Sequence, residues 1–522
     1  MLQFIKDRPM LLSAIITSVI SVIALYSEMA LFVLALVILV FIFYLIYKRS
    51  RGEIIFAALL ILAVTVSGFL AAGKTKMLES YDDVLIDGEF VIADTPQNYG
   101  EYYSAIFETL QSDVLSKGEK IRVTYNSGNF KFSEKIKAKL LISGIEGKVY
   151  KNSNYSQRIF LKGYIKEFEN TGENDVVLSL IGSVRKHIRN IVFKNYKASE
   201  AATVMALVTG DKSYFTDDFY NNVKCAGVAH VMVVSGMHLS IIVSMFLYII
   251  NKFLYNRYLK ALTIVFVTVS VMAICGFTMS ILRAGITYFL MALALILNRE
   301  NTSENTLGFA VCLIYLANPF AIFSVAFLLS VLSTFSILVV SIPVIEMLKE
   351  RKIIKNKLLL TVFSSVIISI STLIFTAPVT IYYFGYISCV SVITNLLIAN
   401  VTSYAMIFCI LGFAFPILAV PFYKISELLV SYINAVINFF GTLPFSTVDT
   451  PRFTIILPIL LIIMAFWVLV ACKLRGDMVK LKEMEIKRVV EGGNGEYARD
   501  FGTDFKKRNK KGRKKHIHII RR

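Results

Sequence analysis

The sequence predicts a polytopic α-helical membrane protein of about twelve spans, with a small all-β, OB-like domain inserted outside the membrane. Three observations carry this. Apolar residues make up 56% of the 522 residues and charged residues only 17%, against about 25% charged in soluble domains. The apolar residues gather into runs of membrane-spanning length. One internal segment, residues 74–186, loses those runs and alternates instead. A mean hydropathy of +0.66 excludes an ordinary soluble enzyme. An aromatic content of 13% excludes a disordered chain.

Taken in order, the apolar runs 10–26, 30–47 and 54–73 form an N-terminal membrane block, residues 1–73. The second and third are joined by Lys48-Arg49-Ser50-Arg51. Basic connections stay cytoplasmic, so the N-terminus is cytoplasmic and the third run delivers segment 74–186 outside. That segment holds 16 basic and 16 acidic residues and no cysteine. Residues 84–93, 120–125, 136–142, 147–150, 158–166 and 175–181 alternate as strands between Gly, Asn and Ser. Residues 102–115 are expected to form a helix among them. Five or six short strands suit a small barrel such as an OB-fold, with a sandwich as the alternative.

From residue 199 the apolar runs return at 228–250, 261–277, 279–297, 306–317, 320–342, 358–383, 388–416, 425–440 and 453–472, within a membrane domain at 187–472. Basic connections at 252–260, at 349–357 and after Cys472 agree with cytoplasmic placement if every run crosses. Residues 199–210 are expected to form an amphipathic interfacial helix with Ser199 as N-cap. The tail, 473–522, has 17 basic and 7 acidic residues, more than half of the chain's net charge of +19. It is expected to be a disordered cytoplasmic tail on anionic lipid headgroups, or a hold on emerging nucleic acid. The six cysteines show no CxxC spacing and are expected to pack between helices.

The chemistry concentrates where a polar, Gly-punctuated stretch, Ala206-Leu-Val-Thr-Gly-Asp-Lys212, leads towards a span containing Ser235, Gly236 and His238. A Gly there can break the helix and expose backbone N–H groups to an anion. It can equally allow close packing, with Ser235 bonding its own backbone and His238 a neighbouring helix. Arg283, early in the run 279–297, either snorkels to the outer interface or offers a positive fork to a phosphate. Asp211, Lys212, Asn318, Ser330 and Asn395 complete the candidate lining, each also able to serve as a helix–helix hydrogen bond. His230 and His238 stand too far apart on a helix to share an ion. No HExxH, GxSxG or P-loop is present, so no metal, cofactor or catalytic residue is expected.

The order of these pieces resembles the ComEC competence family of bacterial DNA-uptake channels. Residues 206–212 (ALVTGDK) are followed by Cys225-Ala-Gly-Val-Ala-His230. Residues 233–239 (VVSGMHL) resemble that family's "ISGLH" signature. The stretch 276–284, with Ser280 and Arg283, resembles "PSVLRA", with Met279 where proline is usual. Asn318-Pro319, Val325-Ala-Phe-Leu-Leu-Ser330 and Thr334 resemble "DP…VGFQLSFLAT", with Asn318 for Asp and Leu328 for Gln. Ala377-Pro378, Tyr382-Tyr383-Phe384 and Asn395-Leu-Leu-Ile-Ala-Asn400 resemble "LPLSLYYF…NLLAIP". The likeness runs over roughly residues 1–472. It implies a multi-pass protein of the bacterial cell membrane that passes single-stranded DNA during transformation, with both termini cytoplasmic. It also implies partners: a DNA receptor, a separate nuclease and a cytoplasmic helicase or translocase. Many members carry a C-terminal metallo-β-lactamase-like domain, where this sequence has its basic tail. The rival readings are a secondary transporter of a smaller anion and an intramembrane hydrolase using His238 with Asp211 or Ser235.

Overall fold

The computed structural model describes residues 10–18 except 12, residues 51–450 apart from breaks at 99–101, 127–129, 233, 254–255, 300–301, 352–353 and 355, and part of 463–470. The run 30–47, most of the connection 48–51, most of the run 453–472 and the basic tail lie outside the described residues.

Helix α1 (Arg51–Glu79) leads into the inserted domain. Six strands follow: β1 (Val84–Ile92), β2 (Gln97–Asn98), β3 (Tyr103–Ser112), β4 (Lys120–Tyr125), β5 (Glu134–Gly144) and β6 (Ile159–Asn174). The short helix α2 (Lys148–Ser156) precedes β6. The sheet runs β1-β5-β6-β4-β3-β2, and an added β1–β3 pairing closes five strands into a barrel. All its pairings are antiparallel except β4–β6, where Ile121 faces Leu161 and Thr124 faces Tyr164. Ile86, Phe90, Ile92, Phe107, Ile121, Val123, Ile136, Leu140 and Ile142 fill the interior and are wholly buried. Burial of each such side chain stabilises the domain by roughly 1.5–3 kcal/mol.

Three local readings of this domain are corrected. Within the stretch 102–115, Tyr103–Ser112 form strand β3 and not a helix: Ala105, Phe107 and Thr109 point inward at period two. Residues 147–150 enter α2 rather than a strand. Residues 175–181 open a long helix, α3 (Val176–Asn195). Asp175 caps it, its Oδ1 accepting from Leu178 N at 2.9 Å, so the β-branched run is helical.

Helix α4 (Ala198–Thr209) also departs from expectation. Its N-cap is Lys197, and Ser199 Oγ instead donates to the Glu200 carboxylate at 2.6 Å. Nine of its residues are buried, so it is a core helix and not an interfacial one. It packs in a core with α3, α5 (Asp217–Cys225) and two later helices, through Val192, Met205, Val223, Met406 and Ile433.

After a four-residue turn, α6 (Ala229–Met232), helix α7 (Gly236–Phe253) starts only at the glycine, so the predicted run 228–250 is broken there. Then follow α8 (Arg257–Ile274), α9 (Met279–Leu297) and α10 (Ser303–Ala317). A 3-10 turn (Pro319–Phe323) leads to α11 (Val325–Ser336), a π-helical turn (Ile337–Ser341) and α12 (Ile342–Glu350). Pro343 has no N–H for the ladder, which accounts for the widened turn before it. The bundle ends with α13 (Lys357–Phe384), strand β7 (Tyr386–Ser388), α14 (Ser391–Ala414), α15 (Ala419–Gly441) and strand β8 (Thr447–Asp449), which pairs with β7. Among the described residues seven helices are long and apolar enough to cross a membrane. Helices α4, α7 and α10 are apolar but shorter. At 1.5 Å per residue, the 15 residues of α10 extend about 22 Å, less than a hydrocarbon core of about 30 Å.

Candidate functional site

The start of α7 is built by its own side chains. Ser235 N donates to His238 Nδ1 at 3.1 Å, and Ser235 Oγ lies 3.0 Å from the same atom. This is one half of a capping box, with histidine in the place of the usual Glu or Gln; His238 N itself donates to the Ser235 carbonyl at 3.1 Å. Accepting from an amide leaves Nδ1 unprotonated, so in the neutral ring the proton sits on Nε2. His238 is wholly buried, and its Nε2 has no well-formed hydrogen bond; the Val231 backbone lies beside it.

Gly236 lets the first turn of α7 approach α9 closely. A Cβ there would lie 2.8 Å from Arg283 Nη2 and 3.1 Å from Ala284 Cβ. Arg283, on the second turn of α9, is 8% exposed. Its Nε donates to Ser330 Oγ on α11 at 2.8 Å, and Ser280 Oγ donates to the same oxygen at 3.1 Å. Among the described residues the two Nη groups make no hydrogen bond, and no carboxylate pairs with them. A buried guanidinium without a counter-charge is costly, since its desolvation goes uncompensated. The arrangement can therefore hold an anion between the Arg283 fork and the N–H groups of the α7 start beside it.

The structure brings together five of the nine sequence candidates: Ser235, Gly236, His238, Arg283 and Ser330. Asp211 and Lys212 sit on the loop after α4. Asp211 Oδ1 accepts from Ser213 N at 2.9 Å and from Ser213 Oγ at 2.6 Å, and Lys212 Nζ lies 5.9 Å from the Tyr220 ring centre. This loop abuts the cluster, the Cβ position of Gly210 being 3.5 Å from Val234 Cγ2. Asn318 stands apart. Its Nδ2 donates to Ser156 O of α2 at 2.8 Å and its Oδ1 accepts from Phe320 N at 3.2 Å, so it ties the bundle to the barrel. Asn395, on α14, has a buried Oδ1 without a hydrogen-bond partner.

A second junction escaped the sequence reading. Arg185 of α3 donates from Nε to Ile274 O at 2.7 Å and from Nη2 to Ala273 O at 3.5 Å, capping the end of α8. The same guanidinium lies 5.4 Å from the Phe132 ring centre in the barrel. Asp94 of the barrel is within electrostatic reach of Arg185, Arg122 and Asp211. Burial holds its carboxyl above the ordinary value, against the lowering pull of the Thr95 amide and the two arginines. Reading 175–181 as a strand hid Arg185; the Asp175 cap was the signal that could have found it. Among the described residues no three His, Cys, Asp or Glu side chains gather as a metal site.

The family model described as Competence protein matches residues 207–475, a little over half of the sequence and every member of the Arg283 cluster. The chain belongs to the competence protein family. Among curated relatives of the family, ComE operon protein 3 of Bacillus subtilis (strain 168) is 23% identical over 298 residues, covering 55% of this chain and 36% of that protein. The chain thus spans about a third of the length of that relative. No solved structure matches it.

Proposed function

We propose that the chain is a channel that passes a single DNA strand across the bacterial cell membrane during transformation. Membership of the competence family supports the setting. The observation that carries the mechanism is the unpaired, buried Arg283 fork against Gly236 at the start of a broken helix. A polyanion needs a wet path of fixed donors through about 30 Å of hydrocarbon. Phosphates passing Arg283, the α7 amides and His238 would each find charge-assisted bonds in turn. In this reading the protein has about twelve spans with both termini cytoplasmic, and residues 74–186 form an OB-like barrel outside. The five-strand closure with a parallel β4–β6 pair supports the OB-like assignment.

The Ser235–His238 contact keeps the hydrolase reading as a second one, and a smaller anion would suit the same fork. A strain lacking the gene, tested for uptake of marked DNA and of small anions, separates these. Loss of transformation alone supports the channel. Normal transformation with lost anion uptake would replace it by the transporter. Ser235→Ala and Asp211→Ala each keeping full transformation would remove the hydrolase.

A further inference from the structure

The barrel carries a cleft of about 400 Å³ that the transport path does not use. Tyr103 on β3 and Tyr125 on β4 are cross-strand partners, with ring centres 5.6 Å apart and planes 15° from parallel. Phe130 packs edge-on against Tyr125 at 4.8 Å, against Phe107 at 6.0 Å and against Phe168 at 4.9 Å. Tyr125 and Phe130 are buried, whereas Tyr103 remains 36% exposed. The cleft thus has a rigid aromatic floor and one ring on which the stack can continue. Thr95, Pro96, Lys131 and Phe132 complete its walls. Phe132 is the ring that meets Arg185 of the junction, and Thr95 follows Asp94, so the cleft adjoins the place where barrel meets bundle.

The charges around it decide the kind of ligand. Around it Lys131, Arg122 and Arg185 stand against Asp94, Asp211 and Glu134, whose Oε2 accepts from Lys131 N at 2.8 Å, so the charges balance. A site for phosphates needs surplus positive charge, and this one has none. A flat, uncharged aromatic group fits better. The closed barrel leaves no free strand edge beside β3 or β4 for peptide addition.

We propose that this cleft binds an unpaired nucleobase by stacking on Tyr103, holding a single strand at the entrance to the bundle; this rests on the DNA reading above. Recognition is of the base and not of the backbone. One lysine contact gives a salt slope of about −0.7 for a single strand, far shallower than a phosphate-tracking groove. Duplex DNA, whose base faces are already stacked, is excluded.

The test uses the full chain in detergent and the fluorescence anisotropy of a labelled dT12 oligonucleotide. Competitors are unlabelled dT12, an abasic deoxyribose-phosphate 12-mer, a 12-base-pair duplex and a proline-rich peptide. The expected result is binding of dT12 with a salt slope shallower than about −1.5, and competition at least tenfold weaker by the abasic strand and the duplex. Tyr103→Ala lowers dT12 affinity about tenfold or more, as loss of one stacked base does. Tyr103→Trp retains it, and Tyr164→Ala, an exposed tyrosine outside the cleft, leaves it unchanged. Equal competition by the abasic strand, unchanged affinity in Tyr103→Ala, or displacement of dT12 by the peptide alone each overturns the proposal. The transport reading is judged separately by transformation. A cleft that fails while Arg283→Ala still abolishes transformation leaves that reading intact. Base-dependent binding in a protein whose deletion does not affect transformation leaves the cleft and removes the reading.

Discussion

Gly236→Ala separates a path residue from a packing residue. The added methyl would sit 2.8 Å from Arg283 Nη2 and 3.1 Å from Ala284 Cβ. The guanidinium is the end of a flexible side chain and can retreat, whereas Ala284 belongs to the α9 backbone framework and yields only a few tenths of an ångström. Overpacking costs about 1–3 kcal/mol, and the helix gains up to about 1 kcal/mol from replacing glycine. The fold is therefore expected to lose at most about 3 kcal/mol, and the protein to remain in the membrane. The fork, displaced from its place beside the α7 amides, loses a charge-assisted bond to the passing phosphate worth about 1.5–3 kcal/mol. At 1.4 kcal/mol per tenfold, that is a 10- to 100-fold fall in any step that depends on it. Transformation frequency is measured beside the membrane level of the protein by immunoblot. Wild-type frequency at normal level would refute the assignment of Gly236 and Arg283 to the path. Loss of the protein would show the contact to be packing alone.

Arg283→Ala and His238→Ala are each expected to reduce transformation at least tenfold with protein retained, and Arg283→Lys to recover less than half of the loss, because lysine lacks the planar fork; frequency and immunoblot together check this. Arg185→Ala removes the cap on Ile274 O and the Phe132 contact, so faster hydrogen exchange is expected around residues 175–185 with the barrel strands still protected; uniform exchange changes would count against a local junction. Gly227→Ala places a Cβ 2.5 Å from Ser391 Cβ at a φ of +73°, and should cost more than about 2 kcal/mol, read as a lost or proteolysed protein; a normal level would count against the packing of α5 on α14. Glu169→Cys, on exposed β6, should react with a membrane-impermeant maleimide on whole cells, and protection there would overturn the outward placement of the barrel.

Much of the fold was legible because hydrophobic length and strand alternation are local signals. The Ser235-Gly236 pair marked where the run could break, but close packing explained it as well, and only the structure shows α7 starting at the glycine. The errors came where one run satisfies two periods. Tyr103, Ile106, Phe107 and Leu110 fall at helical spacing, while Ala105, Phe107 and Thr109 fall at strand spacing. Backbone pairing with β1 and β4 decides for the strand. Helix α4 is rich in small residues, and only the surrounding helices make it a core element. In the site, the motif residues were visible, but the Gly236–Arg283–Ser330 contact is tertiary and no spacing reports it. Asn318 shows the converse: a polar residue in an apolar context whose partner, the Ser156 carbonyl, lies in the barrel.

The most direct measurement places a photoreactive amino acid at Ser280, beside Arg283 and Ser330, and a second at Phe266, 70% exposed on the outer face of the helix bundle. Cells are illuminated while taking up labelled DNA. The account requires a single-strand DNA crosslink at position 280 and none at position 266. Normal uptake without a crosslink at 280, or equal crosslinking at both positions, would contradict it.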